Sequence, residues 1–90
     1  MPQAIVDPEE LRQFARSLKK FNTELQERIG ALQAQMANLA KTWRDQEHKK
    51  FVEQFEQHLK VLARFIDINE QHVPYLLRKA EYIDQYLQQS

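Results

Sequence analysis

The stretch Lys41-Thr42-Trp43-Arg44-Asp45-Gln46 lies at the middle of the 90-residue chain and holds its single tryptophan. On either side of it, apolar residues recur every three or four positions, the spacing that places side chains along one side of an α-helix. Within the stretch, Asp45 is a candidate helix cap and Thr42 is the alternative. The sequence therefore predicts two long helices that reverse direction here, with a turn over residues 42–45.

The composition is typical of a single all-α domain, which we expect to cover residues 1–90. The chain is 42% hydrophobic and 29% charged, with one glycine and three prolines. It is too apolar for a disordered chain and too poor in turn residues for a many-stranded one. Thirteen basic residues balance thirteen acidic ones, so there is no net charge to attract nucleic acid, and no nucleic-acid partner is expected.

The first helix is predicted over residues 8–41. Asp7 can cap its start, and Pro8 suits the first helical position. The apolar residues follow a heptad with one extra four-residue step after Leu25, which would let the helix run straighter. Ala15 flanks this stripe and would permit a partner helix to approach closely. The predicted stripe consists of Leu11, Phe14, Leu18, Phe21, Leu25, Ile29, Leu32, Met36, Leu39 and Trp43.

The second helix, predicted over residues 46–87, carries two adjacent apolar stripes. A face this wide exceeds what one partner helix can cover. One stripe can pack on the first helix, and the simplest cover for the other is a second hairpin, which gives a four-helix bundle. The main stripe is Phe51, Phe55, Leu59, Leu62, Ile66, Asn69, Val73, Leu76, Ala80, Ile83 and Leu87; the second is Val61, Phe65, Ile68, His72, Tyr75, Lys79, Tyr82 and Tyr86.

Two structural alternatives follow from the same pattern. Pro74 lies inside the second helix and predicts a kink, or else a short third helix that begins there. Without a glycine or asparagine stop at the turn, one continuous helix in a long coiled coil is the other alternative. The stripe changes phase between Trp43 and Phe51, and the two segments have similar lengths, so we favour the hairpin.

The predicted partner interface lies on the second helix, where tyrosines are frequent. Tyrosine covers a large area at low entropy cost and keeps a polar end, so it suits interfaces. We expect a homodimer, or a heterodimer with a similar hairpin. Trp43 either plugs the end of the bundle or lines a groove for a partner. The predicted interface residues are Leu62, Phe65, Ile66, Ile68, Tyr75, Leu76, Tyr82 and Tyr86.

The sequence contains no recognisable catalytic or metal site, so we expect no enzymatic activity, metal or cofactor. No two of His48, His58 and His72 stand one helical turn apart, and there is no cysteine. Only His48 has a carboxylate one turn away, in Asp45, and such a pair is ordinarily a solvated contact. No stretch approaches the roughly 20 apolar residues of a membrane span, and the N-terminus does not resemble a signal peptide. We expect a cytoplasmic protein, or one exported without a cleavable signal, and no membrane insertion.

The chain resembles the Trp-Xaa-Gly (WXG) family of small helical hairpins associated with type VII (ESX-type) secretion. The resemblance rests on the length, the two helices and the central turn, where Trp43 and Arg44 match the first two motif positions. It implies a non-enzymatic protein that forms four-helix homodimers or heterodimers. It also implies a role as an exported substrate or as the targeting partner of a larger helical substrate.

Two features depart from the family pattern. Asp45 stands where the motif has glycine, so a side-chain cap must close the turn. The family's export signal, a tyrosine followed four residues later by an acid after the second helix, is also not met. This implies a member that depends on a partner for export, or a relative that is never exported; the alternative is a cytosolic coiled-coil or chaperone-like module unrelated to secretion. The three tyrosines and the residues four positions after them are Tyr75 and Lys79, Tyr82 and Tyr86, and Tyr86 and Ser90.

Overall fold

The computed structural model, which describes residues 6–89, consists of two long antiparallel helices. These are α1 (Pro8–Leu39) and α2 (Gln46–Gln89), joined by residues 40–45. The described part of the chain contains no strand. The predicted helical hairpin is therefore confirmed, although α1 ends two residues earlier than the pattern predicts. The outer limits of the predicted domain, residues 1 and 90, lie outside the described residues.

The start of α1 is fixed by its N-cap. Asp7 has an extended backbone (φ −81°, ψ 119°), and its Oδ1 accepts a hydrogen bond from the Glu9 amide at 2.9 Å. Pro8 follows at the first helical position, where its missing N–H costs nothing. Glu9 and Glu10 then place negative charge at the positive end of the helix dipole.

The turn closes without glycine, because the carbonyl of Leu39 satisfies several donors. It accepts hydrogen bonds from the amides of Thr42 at 3.1 Å and Trp43 at 3.0 Å. The Thr42 hydroxyl donates to the same oxygen at 3.3 Å. No residue described has a positive φ, so this turn needs none of the left-handed backbone freedom that glycine supplies.

Asp45 begins α2, and the helix then runs unbroken to Gln89. Its Oδ1 accepts a hydrogen bond from the His48 amide at 3.0 Å, the geometry of an N-cap. Of the two candidate caps, the structure therefore uses Asp45 and leaves Thr42 bonded to α1. Pro74 lies inside α2, so the alternative with a third helix is wrong. The kink predicted there stays a prediction.

The seam between the helices differs from the predicted stripe on α1. Ala15 and Asn22 are buried, whereas Phe14 and Phe21 are 59% and 47% exposed. The seam steps alternate four and three residues without the extra step predicted after Leu25, because Ala15 and Asn22 take the places assigned to the phenylalanines. The seam consists of Leu11, Ala15, Leu18, Asn22, Leu25, Ile29 and Met36 of α1, with Val52, Phe55, Leu59, Leu62, Ile66, Asn69, Val73, Leu76, Ala80 and Ile83 of α2.

The hairpin is a rod one helix pair thick, measuring 68 × 17 × 16 Å. The four buried hydrophobic residues among those described are Ala15, Leu59, Ile66 and Ala80. The rod exposes 7638 Å², against about 5,500 Å² for a compact monomer of this size. Two helices alone therefore leave much apolar surface uncovered.

Candidate interaction surface

One side of the rod carries most of the exposed large apolar side chains, and we call it the open face. These side chains fall into four sets, and within each set the spacing is a multiple of seven residues, which returns a side chain to nearly the same side of a helix. The sets are Phe14 and Phe21, Leu32 and Leu39, Phe51 with Phe65 and Tyr86, and Val61 with Ile68, Tyr75 and Tyr82. The open face consists of Phe14, Phe21, Leu32 and Leu39 of α1, with Phe51, Val61, Phe65, Ile68, Tyr75, Tyr82 and Tyr86 of α2.

At its centre, the open face joins the two helices through an aromatic contact. Phe21 of α1 and Phe65 of α2 meet edge to face, with ring centroids 6.2 Å apart. Both rings lie outside the seam, since 47% of Phe21 and 44% of Phe65 remain exposed. The apolar surface is therefore continuous from one helix to the other.

Towards the turn, the open face becomes a shallow apolar groove between the helices. Leu32 and Leu39 of α1 form one wall, and Phe51 and Phe55 of α2 form the other. The rings of Phe51 and Phe55 stack with centroids 5.7 Å apart. Trp43 closes this end, with its ring centroid 5.7 Å from that of Phe51. Trp43 thus packs across the turn onto the first turns of α2.

Towards the free end of α2, the exposed apolar residues of the open face are tyrosines. Tyr75, Tyr82 and Tyr86 are 52%, 67% and 62% exposed. They line a hollow together with Arg78 and Lys79. This end therefore combines aromatic area with positive charge.

The opposite side of the rod is polar and holds the ion pairs among the described residues. Arg12 of α1 binds Asp84 of α2 through a charged hydrogen bond, and this contact raises the pKa of Arg12. Arg12 and Arg16 also pair with Glu9 at 3.7 and 3.4 Å. Leu77 lies on this side, two helical turns from both Glu70 and Asp84. The hairpin is therefore amphipathic as a whole.

The predicted interface residues separate into three groups in the structure. Ile66 is only 4% exposed, because it packs in the seam and its carbonyl accepts a hydrogen bond from Asn22. Ile66 therefore does not lie on the open face of the hairpin. Leu62 and Leu76 are half-buried in the seam. The exposed ones are Phe65, Ile68, Tyr75, Tyr82 and Tyr86.

Sequence reasoning missed the contribution of α1 to this surface. The predicted stripe on α1 includes Phe14 and Phe21, whereas the structure buries the neighbouring Ala15 and Asn22 in the seam. The strict alternation of three- and four-residue steps through Ala15 and Asn22 was the signal that could have corrected this. With it, the same pattern places both phenylalanines on the outer face.

At the turn, the side chain of His48 is partly buried beside Trp43. The ring of His48 lies 5.1 Å from that of Trp43, and its Nε2 is buried without a hydrogen-bond partner in the described part of the chain. Among residues 6–89, no group of three or more histidine or carboxylate side chains could hold a metal ion. Neither described helix has the length and apolar character needed to cross a membrane.

Comparison with known proteins gives one match. The model of the WXG100 family, described as proteins of 100 residues with WXG, matches residues 3–86. No curated protein and no solved structure shows significant similarity to the chain. The match spans both helices and the turn that joins them.

Proposed function

Because the chain belongs to the WXG100 family, we propose that it is a non-enzymatic hairpin that acts in type VII secretion through helix–helix dimerisation. Members of the family are small helical proteins associated with type VII secretion, and they pair as dimers. In this proposal the chain works as one hairpin unit. Its role is that of an exported substrate or of a targeting partner for a larger one.

The open face is the observation that supports dimerisation. The rod exposes about 2,000 Å² more than a compact monomer of its size would. A standard protein–protein interface takes only about 800 Å² from each partner. Exposed aromatic residues are also the side chains that contribute most at interface centres. Covering the open face would therefore supply the burial that two helices alone do not provide.

The proposed partner is a second copy of the chain or a similar hairpin. A hairpin laid on the open face would complete a four-helix bundle, in which each helix has two neighbours. Phe65, Ile68, Tyr75, Tyr82 and Tyr86 would contribute from α2. Phe14 and Phe21 join them from α1, in place of Ile66.

The tyrosines of α2 bear on how export would occur. Neither Tyr75 nor Tyr82 is followed four residues later by an acid, since Lys79 and Tyr86 stand there. In the proposal, a partner that carries such a motif supports export of the chain. Trp43 and Arg44 with the Asp45 cap shape the turn that such a partner would meet.

Light scattering on a size-exclusion column tests the dimer directly. We expect the purified chain at micromolar concentration to have twice the monomer mass, or to reach that mass when a similar hairpin from the same genome is co-expressed. A stable monomer under both conditions would remove the dimerisation step from the proposal.

Cell fractionation tests the link to secretion. We expect the chain in the culture medium of its native host, and its retention in cells that lack the type VII ATPase. Co-purification with an exported helical protein would distinguish a targeting partner from a substrate. Equal retention with and without the ATPase, together with dimerisation in vitro, would instead support a cytosolic coiled-coil module.

A further inference from the structure

Two asparagines form a buried pair at the middle of the seam. Asn22 of α1 and Asn69 of α2 are only 4% and 5% exposed. The Asn69 Nδ2 donates to the Asn22 Oδ1 at 3.0 Å, and the Asn22 Nδ2 donates to the carbonyl of Ile66 at 3.1 Å. Neither side chain leaves a buried polar atom without a partner. The pair joins the two helices by side-chain and main-chain contacts at the same point.

The apolar residues of the seam do little to fix how far one helix lies along the other, although the short turn and the Arg12–Asp84 contact also bear on the register. Both helices repeat apolar residues every three or four positions for most of their length. Sliding one helix by seven residues, about 10 Å along the axis, would again place apolar residues opposite apolar residues. Long uniform heptads are the arrangements in which register is poorly specified, and a buried asparagine is a known way to specify it.

We propose that the Asn22–Asn69 pair determines the register of the hairpin, and thereby which helix α1 accepts as its neighbour. In a seven-residue slip, Asn22 would face Leu62 or Leu76 in place of Asn69. Both amides would then be buried without partners, which costs far more than the native pair gains. A foreign helix with an apolar residue at this layer would meet the same penalty, so the open face can bind other helices while the seam rejects them.

Replacing both asparagines removes the selectivity without removing the seam. In the variant N22L/N69L, no amide needs a partner, and the added apolar burial should raise Tm by about 5 °C or more. The chain has no cysteine, so cysteines introduced at the exposed positions Lys20 and Gln57 are unique sites for spin labels. Electron–electron distance measurements, with labelled chain diluted in excess unlabelled chain, then report the intrachain register.

The native asparagine pair should give one narrow distance distribution, and N22L/N69L should give a second population displaced by an axial slip of about 10 Å. The matched rescue moves the pair seven residues along each helix, by adding I29N/L62N to N22L/N69L. Residues 29 and 62 face each other in the same alignment as residues 22 and 69. The four-fold variant should therefore restore a single distance distribution at the native distance. N22L alone, which leaves Asn69 unpaired, should lower Tm.

An unchanged single distribution in N22L/N69L would overturn the proposal, because the register would then be fixed by something else. A lower Tm or loss of helicity in N22L/N69L would also overturn it, since the pair would then be a source of stability and not of selectivity. These outcomes do not depend on whether the chain dimerises or is secreted. The register test can therefore fail while the proposed function stands.

Discussion

Phe21 and Phe65 contact each other edge to face across the two helices, at 6.2 Å between ring centroids, yet each keeps more than two-fifths of its surface exposed. Water still reaches one side of both rings. A second layer of side chains would cover the part of each ring that the hairpin leaves exposed. The pair therefore belongs to the surface of the molecule more than to its seam.

Substitution of Phe65 by glutamate should separate association from folding. A charge at the centre of the open face would be buried on dimerisation, so we expect the dimer Kd to rise at least about a hundredfold, or about 2.7 kcal/mol. Helicity of the monomer, measured by circular dichroism, should change little. Sedimentation equilibrium gives the Kd.

The matched control is Leu77→Glu. Leu77 is 43% exposed, close to the value for Phe65, but it lies on the polar side of the rod near Asp84. The Leu77→Glu substitution should leave the dimer Kd within about threefold of the value for the unsubstituted chain, or 0.7 kcal/mol. Equal weakening by both substitutions would mean that the open face is not the interface.

Loss of the Asp45 cap should lower stability by a modest and specific amount. Asp45→Ala removes the hydrogen bond to the His48 amide and should cost about 1 kcal/mol in the free energy of unfolding. Asp45→Gly, which restores the family motif, should cost only a few tenths. Urea unfolding at fixed protein concentration measures both. Asp67→Ala, at an exposed site inside α2, should stay within about 0.5 kcal/mol; an equal loss there would show that the cap is not the cause.

His48→Leu should stabilise the hairpin. The buried Nε2 of His48 makes no hydrogen bond, so an apolar side chain removes a desolvation cost without breaking a contact to that atom. We expect a gain of about 1 kcal/mol in urea unfolding. His48→Gln keeps a polar group in the same place and should gain nothing. A loss with leucine would mean that the ring contact with Trp43 contributes more than the orphaned nitrogen costs.

Pro74→Ala should also stabilise the protein, because proline removes a backbone donor in the middle of α2 and crowds the preceding turn. The gain should be up to about 3 kcal/mol in the free energy of unfolding. Pro8→Ala is the control, since the first helical position tolerates proline, and it should change stability by less than about 0.5 kcal/mol. Similar effects at both sites would contradict an explanation based on the helix interior.

Local signals in the sequence were sufficient for the helices and the turn. Asp7 and Pro8 mark the start of α1 because capping depends only on neighbouring residues. Asp45 could be proposed as the cap of α2 for the same reason. The two stripes of α2 were also recognisable, since their spacing alone indicates a face wider than one partner needs.

The alignment of the two helices could not be read in the same way. Taken alone, α1 favours Phe14 and Phe21 as seam residues, because hydrophobicity ranks them above Ala15 and Asn22. The buried Asn22 side chain finds its hydrogen-bond partners in Asn69 and the Ile66 carbonyl of α2, and that relation exists between helices, not within one. Ile66 lies in the seam of the hairpin, and the sequence could not show this, because the two stripes of α2 do not reveal which of them α1 covers.

The thinness of the rod has a consequence for how the molecule comes apart. Its contacts are stacked in series along 68 Å, not gathered around a centre, so each layer can open without disturbing the layers beyond it. The start of α1 and the end of α2 lie at one extremity, near the Arg12–Asp84 pair, while Trp43 lies at the other. Amide hydrogen exchange should therefore be fastest at the free end of the rod, where α1 begins and α2 ends, and should slow progressively towards the turn at residues 40–45.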